Sequence, residues 1–352
     1  MERRKRMNAM VTAPQIGSVR LRNALSRATQ PTPPIWLMRQ AGRYHSHYQN
    51  LRRRYSFMDL CKHAELAAEV ALGPVRDFDF DAAILFSDLL FPLEALGMGL
   101  HYSDHGPELG WRLDQNNMGQ LRDVEEAWPN LFFQGEALRA TRALLPADRS
   151  LIGFVGGPWT LFAYAIEGSH SGTLARSKKL LSLFPTFCET LVPLLIKNIE
   201  LQLESGAELV MIFDTAAGEL SPEVFTAEVV PQLERITEKN NSRIGYYSKG
   251  TQPAHLHHPV FTDGFAGIGV DYRWELRDAF DLFPRSFVQG NFDPTLLLCE
   301  ADELKNRLYK YLEPLLNHAR TGWVCGLGHG VPPGTPEENV RLFVKTVREV
   351  FA

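Results

Sequence analysis

The chain has 352 residues, 45% of them hydrophobic and 22% charged, with a formal net charge of -4. That composition supplies a substantial core for one large domain or two ordinary ones, and it gives no sign of disorder. The mild acidity offers no reason to expect a nucleic-acid partner, and no run approaches the roughly 20 apolar residues needed to cross a bilayer. In chain order, the basic cluster Arg3-Arg4-Lys5-Arg6 comes first. No apolar core follows it, so residues 1–12 read as a flexible solvated tail on a cytoplasmic protein, with residues 13–352 as the folded unit.

The segment Pro34 to Tyr44 runs a short apolar stretch, Ile35–Met38, into Arg39, Gln40 and Arg43. Two fixed cations beside a primary amide suit carboxylate binding, because the guanidinium fork binds a carboxylate bidentately and keeps its charge when partly desolvated. The structural alternative is a pair of arginines tying a strand end to a helix. Seven further apolar runs follow: Ala82–Phe86, Leu151–Val155, Leu209–Phe213, Ile244–Tyr247, Phe265–Val270, Ser286–Val288 and Trp323–Cys325. Helical periodicity fills Leu60 to Val75, Leu121 to Leu145, Leu180 to Glu204, Pro222 to Glu238, Leu296 to His318 and Pro336 to Val350.

Eight alternating strand and helix signals predict an α/β fold, a single-domain (β/α)8 TIM barrel with extended loops over one face. A doubly wound sheet is the alternative, but the chain has neither a Gly-x-Gly-x-x-Gly fingerprint nor a Gly-Lys-Ser/Thr phosphate loop. In a barrel the strand ends converge, and here they carry polar groups. Asp88 follows Phe86-Ser87, Tyr164 opens the helix after Gly157-Pro158-Trp159, Asp214-Thr215 closes the fourth run, and His329 sits between two glycines after the eighth. Asp88 is expected to attract ligand N–H groups or developing positive charge, while Tyr164 donates to an acid and Thr215 bonds a carboxylate. Asp214 is expected in a supporting role. Phe86 and Phe213 are expected to wall a cavity for a large flat or bowl-shaped polyacid. The bland readings are an ion-paired acid, a core tyrosine and a solvated loop histidine.

Four separated cysteines and the tract His255-Leu256-His257-His258 lack the spacing of a zinc site, so free thiols and no metal are expected. The pieces Trp36 to Tyr44, Phe86-Ser87-Asp88, Gly157-Pro158-Trp159-Thr160, Gln289-Gly290-Asn291 and Gly328-His329-Gly330 together resemble the uroporphyrinogen decarboxylase family, in its order and across nearly the whole chain. The resemblance implies a cytosolic homodimer that converts uroporphyrinogen III to coproporphyrinogen III without metal or organic cofactor. It implies functional roles for Arg39, Gln40, Arg43, Asp88, Tyr164, Thr215 and His329, with Thr215 where many relatives carry serine. Two rival readings are a barrel methyltransferase and a non-catalytic tetrapyrrole carrier.

Overall fold

The computed structural model describes residues 17–103, 106–169, 172–316 and 321–352; the tail expected over 1–12 and the predicted helix end at His318 lie outside them. Strand β1 (Ala82–Ile84) is followed by a hairpin of β2 (Leu100–Ser103) and β3 (Gly106–Leu109). Then come β4 (Ser150–Gly156), β5 (Leu209–Asp214), β6 (Ile244–Ser248), β7 (Gly267–Gly269), β8 (Phe287–Phe292) and β9 (Trp323–Leu327). Outside the antiparallel hairpin, the order is β1-β4-β5-β6-β7-β8-β9 and every pairing is parallel. Sequential parallel neighbours require crossovers, which the helices supply.

Seven of the eight expected strands form in this curled sheet. The first does not: Ile35–Met38 makes one isolated parallel bridge, between Ile35 and Cys325. Pro33 and Pro34 have no N–H to donate, and the chain turns at once through a bond from Gln40 N–H to the Leu37 carbonyl, 3.1 Å. The segment still touches both sheet edges. Cys325 N–H donates to the Pro34 carbonyl at 2.9 Å, and Asp81 N–H to the Ile35 carbonyl at 2.9 Å. The Asp81 carboxylate accepts from Ile35 N–H at 2.7 Å and pairs with Arg348 at 2.6 Å and Arg20 at 3.1 Å.

Two apolar layers hold the sheet. One surface packs Trp36, Met38, Ile152, Met211, Phe213, Tyr247 and Val324 together, and the other meets the surrounding helices through residues such as Val70, Leu138, Leu191 and Phe343. The helix signals appear as Phe57–Lys62 with Ala64–Phe78, Phe132–Leu144, Phe184–Glu204, Val230–Thr237, Ala301–Leu312 and Glu337–Val350. All four cysteines are free.

Asp214, fully buried at the end of β5, sits against the first turn of the helix Pro158–Glu167. Its carboxylate accepts from Thr160 N–H at 2.9 Å, from the Thr160 hydroxyl at 2.5 Å and from the Tyr246 phenol at 3.2 Å. Gly157 permits this approach, since a Cβ there would lie 2.4 Å from the Asp214 carboxyl carbon. The acid thus serves the helix as its missing N-cap. Burial pushes the carboxyl up to about 6, against the opposing pull of the Thr160 and Tyr246 hydrogen bonds. A raised folded-state value means the folded chain keeps this proton where the unfolded chain has lost it. The stability contributed by Asp214 should therefore fall as pH rises from about 4 to about 6, then level off. Urea unfolding of parent and Asp214→Asn over pH 4 to 8 should show the difference moving against the parent in that window. A difference independent of pH would remove Asp214 as the titrating group.

Candidate active site

The loop after β1, the Arg39 turn, the first turns beyond β5 and the loop after β9 meet around one cavity of about 200 Å³. Its lining includes Arg39, Gln40, Phe86, Asp88, Tyr164, Phe213, Thr215 and His329, so eight of the nine residues expected at the site from the sequence line one chamber. Arg43 faces an adjoining basin of about 1330 Å³, which shares Arg39, Phe86, Ser87 and Asp88 with the inner chamber. Among the described residues, the basin is also lined by Arg52, Arg53 and His101, and by one carboxylate, that of Asp88. Among the described residues, four guanidiniums stand there with a single acid, on a chain whose overall charge is negative.

Asp88 sits two residues beyond Phe86, which packs on Tyr48 and Phe57. The neighbouring Ser87 hydroxyl accepts from the Gln134 amide at 2.8 Å, pinning the loop to the helix Phe132–Leu144. Asp88 accepts from Leu90 N–H at 2.9 Å, a local turn that fixes the carboxylate on the cavity wall. Burial raises its pKa; the Leu90 N–H, the phenol of Tyr102 and the charge of Arg39 act in the other direction. Tyr102 lies beside the carboxylate without completing a hydrogen bond of normal geometry. Tyr164 is half-buried, and burial followed by the negative charge of Asp88 pushes its phenol up to about 12. It is a neutral donor at physiological pH.

Arg39 is exposed toward the cavities and occupies the left-handed backbone region with φ 56°. Its stem lies over Gly330, where a Cβ would come within 2.4 Å of Arg39 Cδ. A bond from Val331 N–H to the Met38 carbonyl, 3.0 Å, joins the same two segments. Gln40 is buried, and its amide is spent on the backbone: Oε1 accepts from Leu37 N–H at 3.2 Å and Nε2 donates to the Ala82 carbonyl at 3.0 Å. The Thr215 hydroxyl is buried without a hydrogen-bond partner among the described residues, on a residue that lines the chamber. A donor left open there is what a carboxylate ligand would complete.

Other strand-end residues serve the scaffold. Asp271 is fully buried, holds Gly250 N–H at 2.6 Å and pairs with Arg273. The Asn291 amide donates to the carbonyls of Asp271 and Trp274 at 3.0 and 2.8 Å. In the histidine tract, His255 bonds Gln252 N–H and the Leu220 carbonyl, and His258 accepts from Val260 N–H. Among the described residues no three His, Cys, Asp or Glu side chains are grouped to hold a metal ion. Sequence reasoning missed Arg52, Arg53 and Tyr102. The run Arg52-Arg53-Arg54 was a legible signal for the first two; the tyrosine depends on register.

The sequence model described as uroporphyrinogen decarboxylase (URO-D) matches residues 18–350. The chain is 34% identical over 329 residues to a uroporphyrinogen decarboxylase of Francisella philomiragia, covering 90% of this chain and 94% of that one. It is 35% identical over 333 residues to one from Thermus thermophilus, with 92% and 95% covered. Among solved structures, a methyltransferase from Methanosarcina mazei superposes with a TM-score of 0.75 at 21% identity, over 95% of this chain and 99% of that one. This last likeness is one of fold. On the match along nearly its whole length, the chain belongs to the uroporphyrinogen decarboxylase family.

Proposed function

We propose that this chain removes carbon dioxide from the four acetate side chains of uroporphyrinogen III, giving coproporphyrinogen III, without a metal or organic cofactor. The observation that carries this reading is one carboxylate, Asp88, set on the wall of an apolar chamber that opens into a basin of arginines. A macrocycle bearing many acids needs that basin, and its pyrrole N–H groups need that carboxylate.

The chemistry follows from what the leaving carbon requires. A pyrrole acetate loses CO2 slowly because the electron pair left on its methylene has nowhere to go. Protonating the adjacent ring carbon creates an iminium-like sink; the C–C bond then breaks, CO2 departs, and the exocyclic enamine takes up a proton to become a methyl group as the ring carbon releases its own. The balance is one proton consumed and one CO2 released per acetate. Asp88 binds the pyrrole N–H groups and stabilises the cation that develops on them. Arg39 anchors the reacting carboxylate, while Arg43, Tyr164, Thr215 and His329 place the others. Phe86 and Phe213 wall the ring. Gln40 belongs to the site through the backbone it holds, which keeps the Arg39 turn in place.

The same reading extends to the molecule around the site: a closed (β/α)8-type barrel in which the irregular Pro34–Trp36 segment, and not an eighth strand, spans from β9 to the start of β1, one domain over residues 13–352, and a cytoplasmic homodimer. The substrate is a tetrapyrrole, with neither nucleic acid nor membrane as partner. The likeness to a methyltransferase, at 21% identity, carries fold and not methyl transfer. Anaerobic incubation with reduced uroporphyrinogen III and mass spectrometry of the product tests the reaction. Four successive losses of CO2 are expected, and recovery of unchanged substrate would identify a carrier.

Asp88→Asn keeps the shape and deletes the charge. If half of an interaction of about 4 kcal/mol is selective for the transition state, turnover should drop roughly thirtyfold. Turnover within threefold of the parent, in matched anaerobic assays of folded protein, would sink the role. Arg39→Lys retains charge without the two-pronged contact and should raise KM or lower kcat clearly; parent values for both would show that Arg39 is no clamp. Thr215→Ser should keep much of the activity, whereas Thr215→Val should lose about 0.5–1.5 kcal/mol of catalytic efficiency with the hydroxyl. Equal efficiencies for threonine and valine would rule out the contact, and a severe serine defect would assign the residue's value to its methyl group.

A further inference from the structure

Three buried primary amides lie behind the loop that carries Asp88. Gln134 comes from the helix Phe132–Leu144, Asn198 and Gln202 come from the helix Phe184–Glu204, and none is more than 2% exposed. Gln202 Nε2 lies 2.9 Å from the Phe154 carbonyl and 3.4 Å from both Gln134 Oε1 and Asn198 Oδ1. Gln134 Nε2 lies 2.8 Å from the Ser87 hydroxyl. Gly153 on β4 makes room for the cluster, since a Cβ there would stand 2.2 Å from Gln202 Oε1. Ser87 and Phe154, the two ends of this chain of contacts, both line the inner chamber.

The direction of every bond follows from the one group that cannot donate. A carbonyl has no hydrogen to give, so the Gln202 atom on Phe154 is the amide nitrogen. Its second hydrogen lies between Gln134 and Asn198, and the Gln134 atom that faces it is the oxygen. A flipped Gln134 would set two amide nitrogens against each other. The Gln134 nitrogen therefore points at Ser87 and donates, so the Ser87 oxygen accepts and keeps its own hydrogen. Among the described residues no acceptor takes that hydrogen. The arrangement also leaves Asn198 Nδ2 and Gln202 Oε1 buried without partners among the described residues, a cost that apolar side chains packing the same helices would avoid.

We infer that Ser87 is a further substrate-binding residue, its hydroxyl donating to a carboxylate of the ligand, and that Gln134 is the positioning residue that reserves the hydrogen for that use. The inference rests on the decarboxylase reading for its ligand and on hydrogen-bond geometry for its polarity. It sets a donor one residue from the acceptor Asp88, so neighbouring side chains meet the two kinds of group a tetrapyrrole acid presents, carboxylates and pyrrole N–H groups. A neutral donor suits this wall of the chamber, because another cation beside Asp88 would pair with that acid instead of with the ligand.

Neutron diffraction from crystals exchanged into D2O reads the polarity without turnover. Deuterium is expected on the Gln134 nitrogen along the line to Ser87 Oγ, with the Ser87 deuterium directed away from Gln134. A Ser87 deuterium lying on that line overturns the inference. In kinetics with uroporphyrinogen III, Ser87→Ala should raise KM roughly tenfold, the loss of one hydrogen bond to a charged group, and the change should sit in KM more than in kcat. Gln134→Met keeps the volume and deletes the donor, which frees the Ser87 hydroxyl to rotate. It should raise KM by a smaller factor and add nothing in the Ser87→Ala background. Equal effects of Gln134→Met in both backgrounds describe a packing role and overturn the positioning role. A Ser87→Ala enzyme with the parent's KM overturns the binding role, even if its melting temperature drops. If the parent releases no CO2, the decarboxylase reading falls, and the same comparison is then made on the Kd of unchanged uroporphyrinogen III by anaerobic equilibrium dialysis, where equal values for parent and Ser87→Ala overturn the inference by themselves.

Discussion

The buried carboxylate of Asp81 is the constraint on which the site depends. It lies one residue before β1, takes the Ile35 N–H and pairs with arginines from the first and last helices. Its own backbone N–H holds the Ile35 carbonyl, and its carbonyl accepts from Ser150 N–H at the start of β4. One residue therefore joins the Pro34–Trp36 segment to the sheet edge, and leaving that buried carboxylate unpaired would cost about 3–5 kcal/mol. The Arg39 turn begins three residues after Trp36, and Asp88 lies four beyond β1. The clamp consequently ties together the two segments that bring Arg39 and Asp88 to the chamber wall.

Charge in this protein is local rather than global. A formal net charge of -4 says nothing of a basin that, among the described residues, is lined by Arg39, Arg43, Arg52 and Arg53 and one acid. The separation into a wet cationic basin and a smaller apolar chamber matters physically. Arginines in the basin can exchange water for carboxylates at modest cost, whereas the acid within the chamber works at lower dielectric, where each charge counts for more. The aromatic wall of Phe86, Phe154 and Phe213 sustains that difference by keeping polar groups few.

Much of this was legible in the sequence, and the gaps have physical causes. Long apolar runs such as Leu209–Phe213 became strands because both faces are buried, which is the case where composition alone suffices. Ile35–Met38 looked equally strand-like, yet the two prolines before it and the turn after it leave a single bridge. The run Phe265–Val270 shrank to Gly267–Gly269, where a Cβ on Gly267 would strike Phe287 at 2.1 Å. The β2–β3 hairpin went unread, since β2 only alternates half-buried with exposed residues and β3 stays half-buried up to Leu109, a weaker signal than any core run. At the site, residue type pointed to Arg39, Asp88, Thr215 and His329, but type could not show that the Gln40 amide faces backbone or that the Gln134 amide reaches Ser87. Those facts are matters of register and of which turn follows a strand.

Arg39 holds a backbone conformation that costs an L-residue with a Cβ about 1 kcal/mol or more, and glycine nearly nothing. The position proposed to bind charge is thus one where the fold favours a different residue. Sequence drift governed by stability alone would pull it toward glycine or asparagine, and only selection on turnover opposes that pull. Stabilisation campaigns that score folding and ignore activity would erase this arginine early, and the loss would register as an improvement.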